Sequence, residues 1–362
     1  MKKVRLFFQF ILMAGLAVCA AQGAPPLKLV RTIQIPQVAC QNPNLDKKQL
    51  AEAVNTFFMP LMTCHFDRFG LDPKNSRLFI PAENNKTVEV YSIPSGKWLH
   101  SFHGFAMPHN VFYRPDTNRI YITDGSTTVG ALHIFDGTTY RPIKTIRLLP
   151  GTDSLAYDPA THDLYVTNGG KFAHLNYVRV SIINTDTDDL AGNIRIPATR
   201  LEHMVMDPSG ARIFINITDK REIGVIDTSK NALVATWPLA KGDLNVALDL
   251  DKAGHRLFVV CRSGIMDVFD TQTGKVVATA PISKGVDDVV YDARHKRVYV
   301  TCAVGVIDVF QQQDPDHYTA IARIPTGPMG KNGILVSSLN RFYVGVPRYA
   351  NVESKLLVYK VQ

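Results

Sequence analysis

The chain has 362 residues, 46% hydrophobic and 20% charged, with a formal net charge of +8 at pH 7. This apolar content excludes a disordered chain, and no run of about 18 to 20 uninterrupted apolar residues is present to span a membrane. Lys and Arg fall singly in the turns rather than in a basic run, which fits a solvated surface and argues against a nucleic-acid partner.

Residues 1–23 carry Lys2, Lys3 and Arg5, then the apolar run "LFFQFILMAGLAV", then the small residues of "AAQGA". That is the layout of a secretory signal peptide, with cleavage predicted near Gly23. The expectation is an exported, periplasmic or extracellular protein comprising residues 24–362, and removal of the leader lowers the net charge from +8 to +5. The stretch "LAVC" resembles a lipoprotein box, but Val18 stands where a small residue is usual, so a lipid anchor at Cys19 is not expected.

The segment "LKLVRTIQIP" resembles later outer strands such as "AGNIRIP" and "YTAIARIP", while the last repeat stops after three strands. Residues 28–35 are therefore predicted to supply the missing fourth strand, so that both ends of the chain share one blade and no sheet edge is left bare. Residues 37–64 read as an insertion. Within it Leu50, Ala53, Val54, Phe57 and Phe58 recur at helical steps, predicting an amphipathic helix of about three turns that acts as a lid or a partner-binding element. Cys40 and Cys64 bracket the insertion and are predicted to form a disulfide closing a loop of about 25 residues.

From residue 66 onward one pattern repeats. Its second-strand aromatics are Phe79, Tyr121, Tyr165, Phe214, Phe258, Tyr299 and Tyr343, spaced by 42, 44, 49, 44, 41 and 44 residues. An arginine stands two residues before six of them, and Asp163 takes its place in the third. A period of about 40 to 45 residues with four short strands matches WD40-like propeller blades. The predicted fold is an all-β, seven-bladed β-propeller of four-stranded antiparallel blades, a single domain over residues 24–362. In blade five the strands are expected near 245–249, 256–260, 265–269 and 275–280. Cys261 and Cys302 occupy matching places in adjacent blades, usually beyond the reach of about 7 Å that a disulfide requires, so they read as buried free thiols.

Inner strands line a propeller's channel, so residues just before them should ring one mouth. Counting five residues back from each turn Asp or its equivalent gives Asp67, His109, Asp153, Glu202, Leu244, Asp287 and Asn332. The next position gives Arg68, Asn110, Ser154, His203, Asn245, Asp288 and Gly333. The acids are expected to focus negative potential on this opening. Ca²⁺, with six to eight oxygen ligands, would suit such a ring. A transition metal would suit His109, Asp153, Glu202, His203 and Asp287. A small polar molecule or a partner's segment is the further choice, and a channel mouth is polar in any propeller.

No C-x-x-C-H haem motif, C-x-x-C zinc spacing, G-x-S-x-G elbow, phosphate loop or H-E-x-x-H helix occurs. The two tryptophans argue against a quinone-cofactor propeller with stacking indoles.

The stretches "LYVTNGG", "RVYVTCAVGVIDVF" and "HRLFVVCRSGIMDVFDTQTGKVVAT" resemble the YVTN repeat of the YncE-like family of exported bacterial seven-bladed propellers, over roughly residues 66 to 361. The resemblance implies the fold specifically and the activity only broadly, since this scaffold serves binding proteins, lactonases, lyases and electron-transfer subunits. Where relatives resemble "GRFDHLAVD", this chain has "CHFDRFGLD": Asp67 is kept, Arg68 replaces a histidine, and His65 stands three residues upstream. The leading expectation is a monomeric, non-enzymatic binding protein. The rival is a metal-assisted lactonase or lyase with a ring histidine as acid or base. The third is single-stranded nucleic-acid binding, suggested by one branch of the family.

Overall fold

The computed structural model describes residues 24–40, 42, 46, 48, 49, 52 and 64–362. Residues 1–23, predicted to be a signal peptide, and Leu50, Ala53, Val54, Phe57 and Phe58, predicted to be helical, lie outside the described residues. A helix does begin in the insertion, where Lys48, Gln49 and Glu52 are helical. Asp46 accepts from the Gln49 N–H at 2.8 Å while Gln49 Oε1 accepts from the Asp46 N–H at 3.0 Å, the reciprocal capping that starts a helix. Among the described residues no helix is long and apolar enough to cross a membrane.

The strands form seven four-stranded antiparallel sheets, each a blade. Blade five has strands Asn245–Asp251, Arg256–Cys261, Ile265–Asp270 and Val276–Pro281, matching the sequence reading within two residues. Second strands are buried on both faces because blades press on either side: Leu257, Phe258, Val259, Val260 and Cys261 have no exposed surface. Outer strands such as Ala232–Pro238 are mostly open to solvent. The seven repeat aromatics are all at most 2% exposed and fill the spaces between blades. Turns close by local chemistry: Asp270 Oδ1 accepts from the N–H groups of Gln272 and Thr273 at 2.9 and 2.8 Å, and Gly274 takes the positive φ of 70° that the reversal needs.

Leu27–Gln34 pairs antiparallel with Lys355–Val361 and completes blade seven, as the sequence implied. The disulfide Cys40–Cys64 is present with Cα atoms 5.2 Å apart, and Cys261 and Cys302 are buried and free. Asn42 ties the insertion down. Its side chain donates to the Cys64 carbonyl at 2.9 Å and accepts from the Cys64 N–H at 2.8 Å, while its own N–H donates to the Arg348 carbonyl in blade seven at 3.3 Å.

Five of the six arginines ahead of the aromatics reach round the disc to the following blade, while Arg341 donates to the Leu339 and Asn340 carbonyls of its own blade. Arg77 donates to the Tyr140 hydroxyl in blade two at 3.0 Å, Arg119 pairs with Asp188 in blade three at 2.6 Å, and Arg212 donates to the Thr271 carbonyl in blade five at 2.7 Å. Arg256 meets Asp316 of blade six, and Arg297 meets the Gln362 carbonyl of blade seven. Arg31, on the outer strand of blade seven, donates to carbonyls of Pro94 and Ser95 in blade one. Asp163 in blade three makes no such link, so the seam between blades three and four relies on an apolar cluster that includes Tyr165, Ile182, Ile213 and Ile215.

Candidate functional site

Side chains from all seven blades converge at one end of the channel on a cavity of about 290 Å³. Of the candidates read from the sequence, His65, Asp67, Arg68, His109, Asp153, Glu202, His203 and Asp287 line it. Asn110, Asn245, Asp288 and Asn332 do not. Asn110 and Asn332 are buried, Asn245 donates to Asn216 Oδ1 at 2.7 Å, and Asp288 stands behind Arg68 as its ion-pair partner at 2.9 Å.

The expected field of bare acids is not what the geometry gives, because basic side chains alternate with them. Asp287 is clasped by two cations, Arg262 on one oxygen and Lys331 on the other. Although burial opposes its charge, these neighbours hold the Asp287 carboxyl far below the usual carboxylate range. Glu202 is taken by Arg200 at 2.7 Å. Arg68, from blade one, extends to blade six, donating to Asp288 and to the Asp287 carbonyl at 3.3 Å.

Asp67 Oδ2 lies 2.7 Å from His109 Nδ1, and His109 Nε2 donates to the Gly125 carbonyl at 2.8 Å. A carbonyl only accepts, so Nε2 carries a proton; Nδ1 facing a carboxylate then favours the imidazolium. Burial disfavours that charge, but Asp153 and the bond to Asp67 carry His109 well above its ordinary value. Burial likewise works against the Asp67 charge, and His109 outweighs it, leaving the carboxyl lowered. Glu83 is pushed up to about 7 by burial and by the Asp67 charge. Burial, opposed by His109 and reinforced by Asp67 and Glu202, raises Asp153 to about 7. His203 is the reverse of His109: burial and Arg68 press it well below its ordinary value, and its Nδ1 accepts from the Leu248 N–H at 3.2 Å.

The five residues His109, Asp153, Glu202, His203 and Asp287, expected to suit a transition metal, all line the cavity, but several already have partners. Glu202 and Asp287 are committed to basic partners and His203 to a backbone amide. The ligating atoms that do come together, within 4.8 Å of one another, belong to Asp67, His109 and Asp153. In that group both nitrogens of His109 are already engaged, so a cation would have to displace the Asp67 bond.

Glu83, Arg200, Arg262 and Lys331 are site residues that the inner-strand count missed. A signal existed for two of them. Glu83 and Arg262 each lie four residues beyond the repeat aromatic, where the second strand ends at the channel mouth; Gly125 and Gly169 hold the same place in blades two and three.

No family model matches the chain. THO complex subunit 3 of Arabidopsis thaliana is 22% identical over 236 residues, covering 63% of this chain and 69% of that protein. Among solved structures, a chain of Kuenenia stuttgartiensis hydrazine synthase superposes with a TM-score of 0.68 at 15% identity, covering 82% of this chain and 96% of that one. A chain from the crystal structure of the mitotic checkpoint complex gives a TM-score of 0.69 at 11% identity over 99% of both. Likeness at such identities establishes the seven-bladed propeller and nothing of its chemistry.

Proposed function

We propose that this chain is an exported binding propeller, of the YncE-like kind its YVTN motifs resemble, that takes a small polar ligand into the axial cavity. The observation that carries the reading is the cavity of about 290 Å³ on which charged groups converge from blades held rigid by their packing. Concave sites with a few converging polar groups on a rigid frame are where small ligands bind. The test is a thermal-shift screen of the purified protein against a library of small polar molecules, repeated on Met107→Trp, which fills the cavity from its wall. A stabilising compound whose effect disappears in the filled variant supports the reading; a library without a stabilising compound refutes it.

A second reading comes from the relatives, two of which are by name parts of multisubunit complexes. It makes this propeller a docking platform for another protein, and its test is whether the chain elutes alone or in a larger assembly from its native source.

A further inference from the structure

We infer that Arg179 and Arg195, set against Tyr177 on blade three, form a clamp for the phosphate group of a monoester. The clamp lies outside the axial cavity, since none of these three residues lines that space.

Arg179 belongs to strand Val178–Asn184 and Arg195 to its antiparallel neighbour Asp189–Ile196, and the two stand directly opposite each other in the ladder. Residues so paired send their side chains from the same face with Cβ atoms about 5 Å apart, and like charges there repel. Arginine cannot shed its proton to escape. Elsewhere in the ring a carboxylate answers an arginine, as Asp188 does Arg119 and Asp207 does Arg212. Among the described residues no carboxylate pairs with Arg179 or Arg195 and no acceptor takes a hydrogen bond from either; what they share is an aromatic ring. The next rung on the same face is the neutral pair Ser181 and Asn193, bonded to each other at 2.7 Å. Asn168, opposite Arg179 on its other side, already accepts from the Leu149 N–H at 3.3 Å.

The loop before Arg179 fixes the third member. It has eight residues between strands Asp163–Gly169 and Val178–Asn184, where the same connection in blades one, two, four, five and six has three or four. The Gly170 N–H donates to the Tyr177 carbonyl and the Leu175 N–H to the Gly170 carbonyl, both at 2.9 Å, which holds Tyr177 at the foot of the strand. The Arg195 guanidinium carbon lies 4.0 Å from the centre of the Tyr177 ring, and that of Arg179 lies 5.8 Å from it. The ring offers each cation its π face, and the planar N–H edges stay open to a ligand. An enlarged loop on a rigid repeating frame is where specific binding groups collect.

Charge and shape name the ligand. A carboxylate has a single charge and its oxygens in one plane, which one guanidinium fork fills. A phosphate monoester carries about two negative charges at neutral pH and three oxygens that face different directions. It can therefore take a fork from each strand and cancel both charges.

Arginine side-chain N–H signals, followed by NMR while the protein is titrated at fixed ionic strength with phenyl phosphate or with benzoate, test this. Two signals should shift saturably with phenyl phosphate, and benzoate should bind about ten- to a hundredfold more weakly. Arg179→Gln and Arg195→Gln should each lose the response while keeping the fold by circular dichroism, and Arg179→Gln should melt no lower than the parent, because it relieves the repulsion. Arg195→Lys, which keeps the charge without the fork, should bind phenyl phosphate as weakly as the parent binds benzoate. The comparison of the two anions on the unmodified protein stands even if a variant misfolds. Sedimentation with phosphatidylcholine vesicles containing phosphatidic acid would assign the monoester to a lipid surface, and binding of phenyl phosphate without sedimentation would assign it to a soluble molecule; either supports the clamp. Benzoate bound as tightly as phenyl phosphate, no saturable shift, or a shift that survives both glutamine variants overturns it. A lower melting temperature of Arg179→Gln with anion binding unchanged would likewise overturn it, making the pair a structural stack on Tyr177.

Discussion

Replacing Asp153 by asparagine should stabilise the protein, and only above mildly acidic pH. Burial, opposed by His109 and reinforced by Asp67 and Glu202, raises this carboxyl from 3.8 to about 7. The sign follows from proton binding. Below about pH 4 the side chain is protonated in both the folded and the unfolded chain and contributes no difference. Between there and about pH 7 the unfolded chain ionises while the folded one keeps its proton, so stability falls as pH rises, then levels off. At about 1.4 kcal/mol for each tenfold change in the proton equilibrium, the full interval corresponds to about 4 kcal/mol. Water in the open cavity screens part of that interaction, and a gain of about 2 kcal/mol is the expected measurable effect of the neutral, nearly isosteric Asn. Urea unfolding followed by circular dichroism at pH 4, 6 and 8 should show no gain at the first, part at the second and all at the third. A difference that is flat with pH, or a loss that grows as pH rises, would refute the reasoning and make the Asp153 charge a structural necessity.

Phe258→Ala should cost about 3 to 5 kcal/mol in the same assay, because the ring is fully buried between Tyr291 and Tyr318. Replacing both Cys40 and Cys64 by serine should remove about 3 kcal/mol, the loop-closure effect of a sequence separation of 24, and leave the blades intact by circular dichroism. Deleting Leu27–Gln34 strips the partner from Lys355–Val361, so size-exclusion chromatography should show aggregates in place of the intact chain's elution peak. Elemental analysis should find no stoichiometric metal, since His109 already uses both ring nitrogens; bound Zn or Ca, with a melting point lowered by chelation, would favour the hydrolase or lyase reading instead.

The fold was legible because each blade repeats one physical solution. A second strand such as "RLFVVC" must be apolar on both faces to lie between neighbours, and that shows as a run with a mean period of 44 residues. The channel-mouth positions were legible through the same count, which is how Asp67, His109 and Asp153 came to be named together. Their charge balance was not, because Glu83 and Arg262 enter from the far end of the second strand, and Arg200 and Lys331 from the linkers between blades. Nor could counting foresee that Arg68 would reach from blade one to Asp288 in blade six, 220 residues away in sequence.

The rim arginines that join blades point the same way round the disc, each gripping the blade that follows, with Arg31 in place of Arg341 at blade seven. Fraying therefore travels with a hand: when one blade opens, the blade behind it loses its handhold, and the blade ahead does not. Aspartate at position 163 interrupts this girdle once, leaving a joint that leans on oily contact, the kind of adhesion that slackens in the cold. Chilling, more than warming, should find the breach between the third and fourth sectors first.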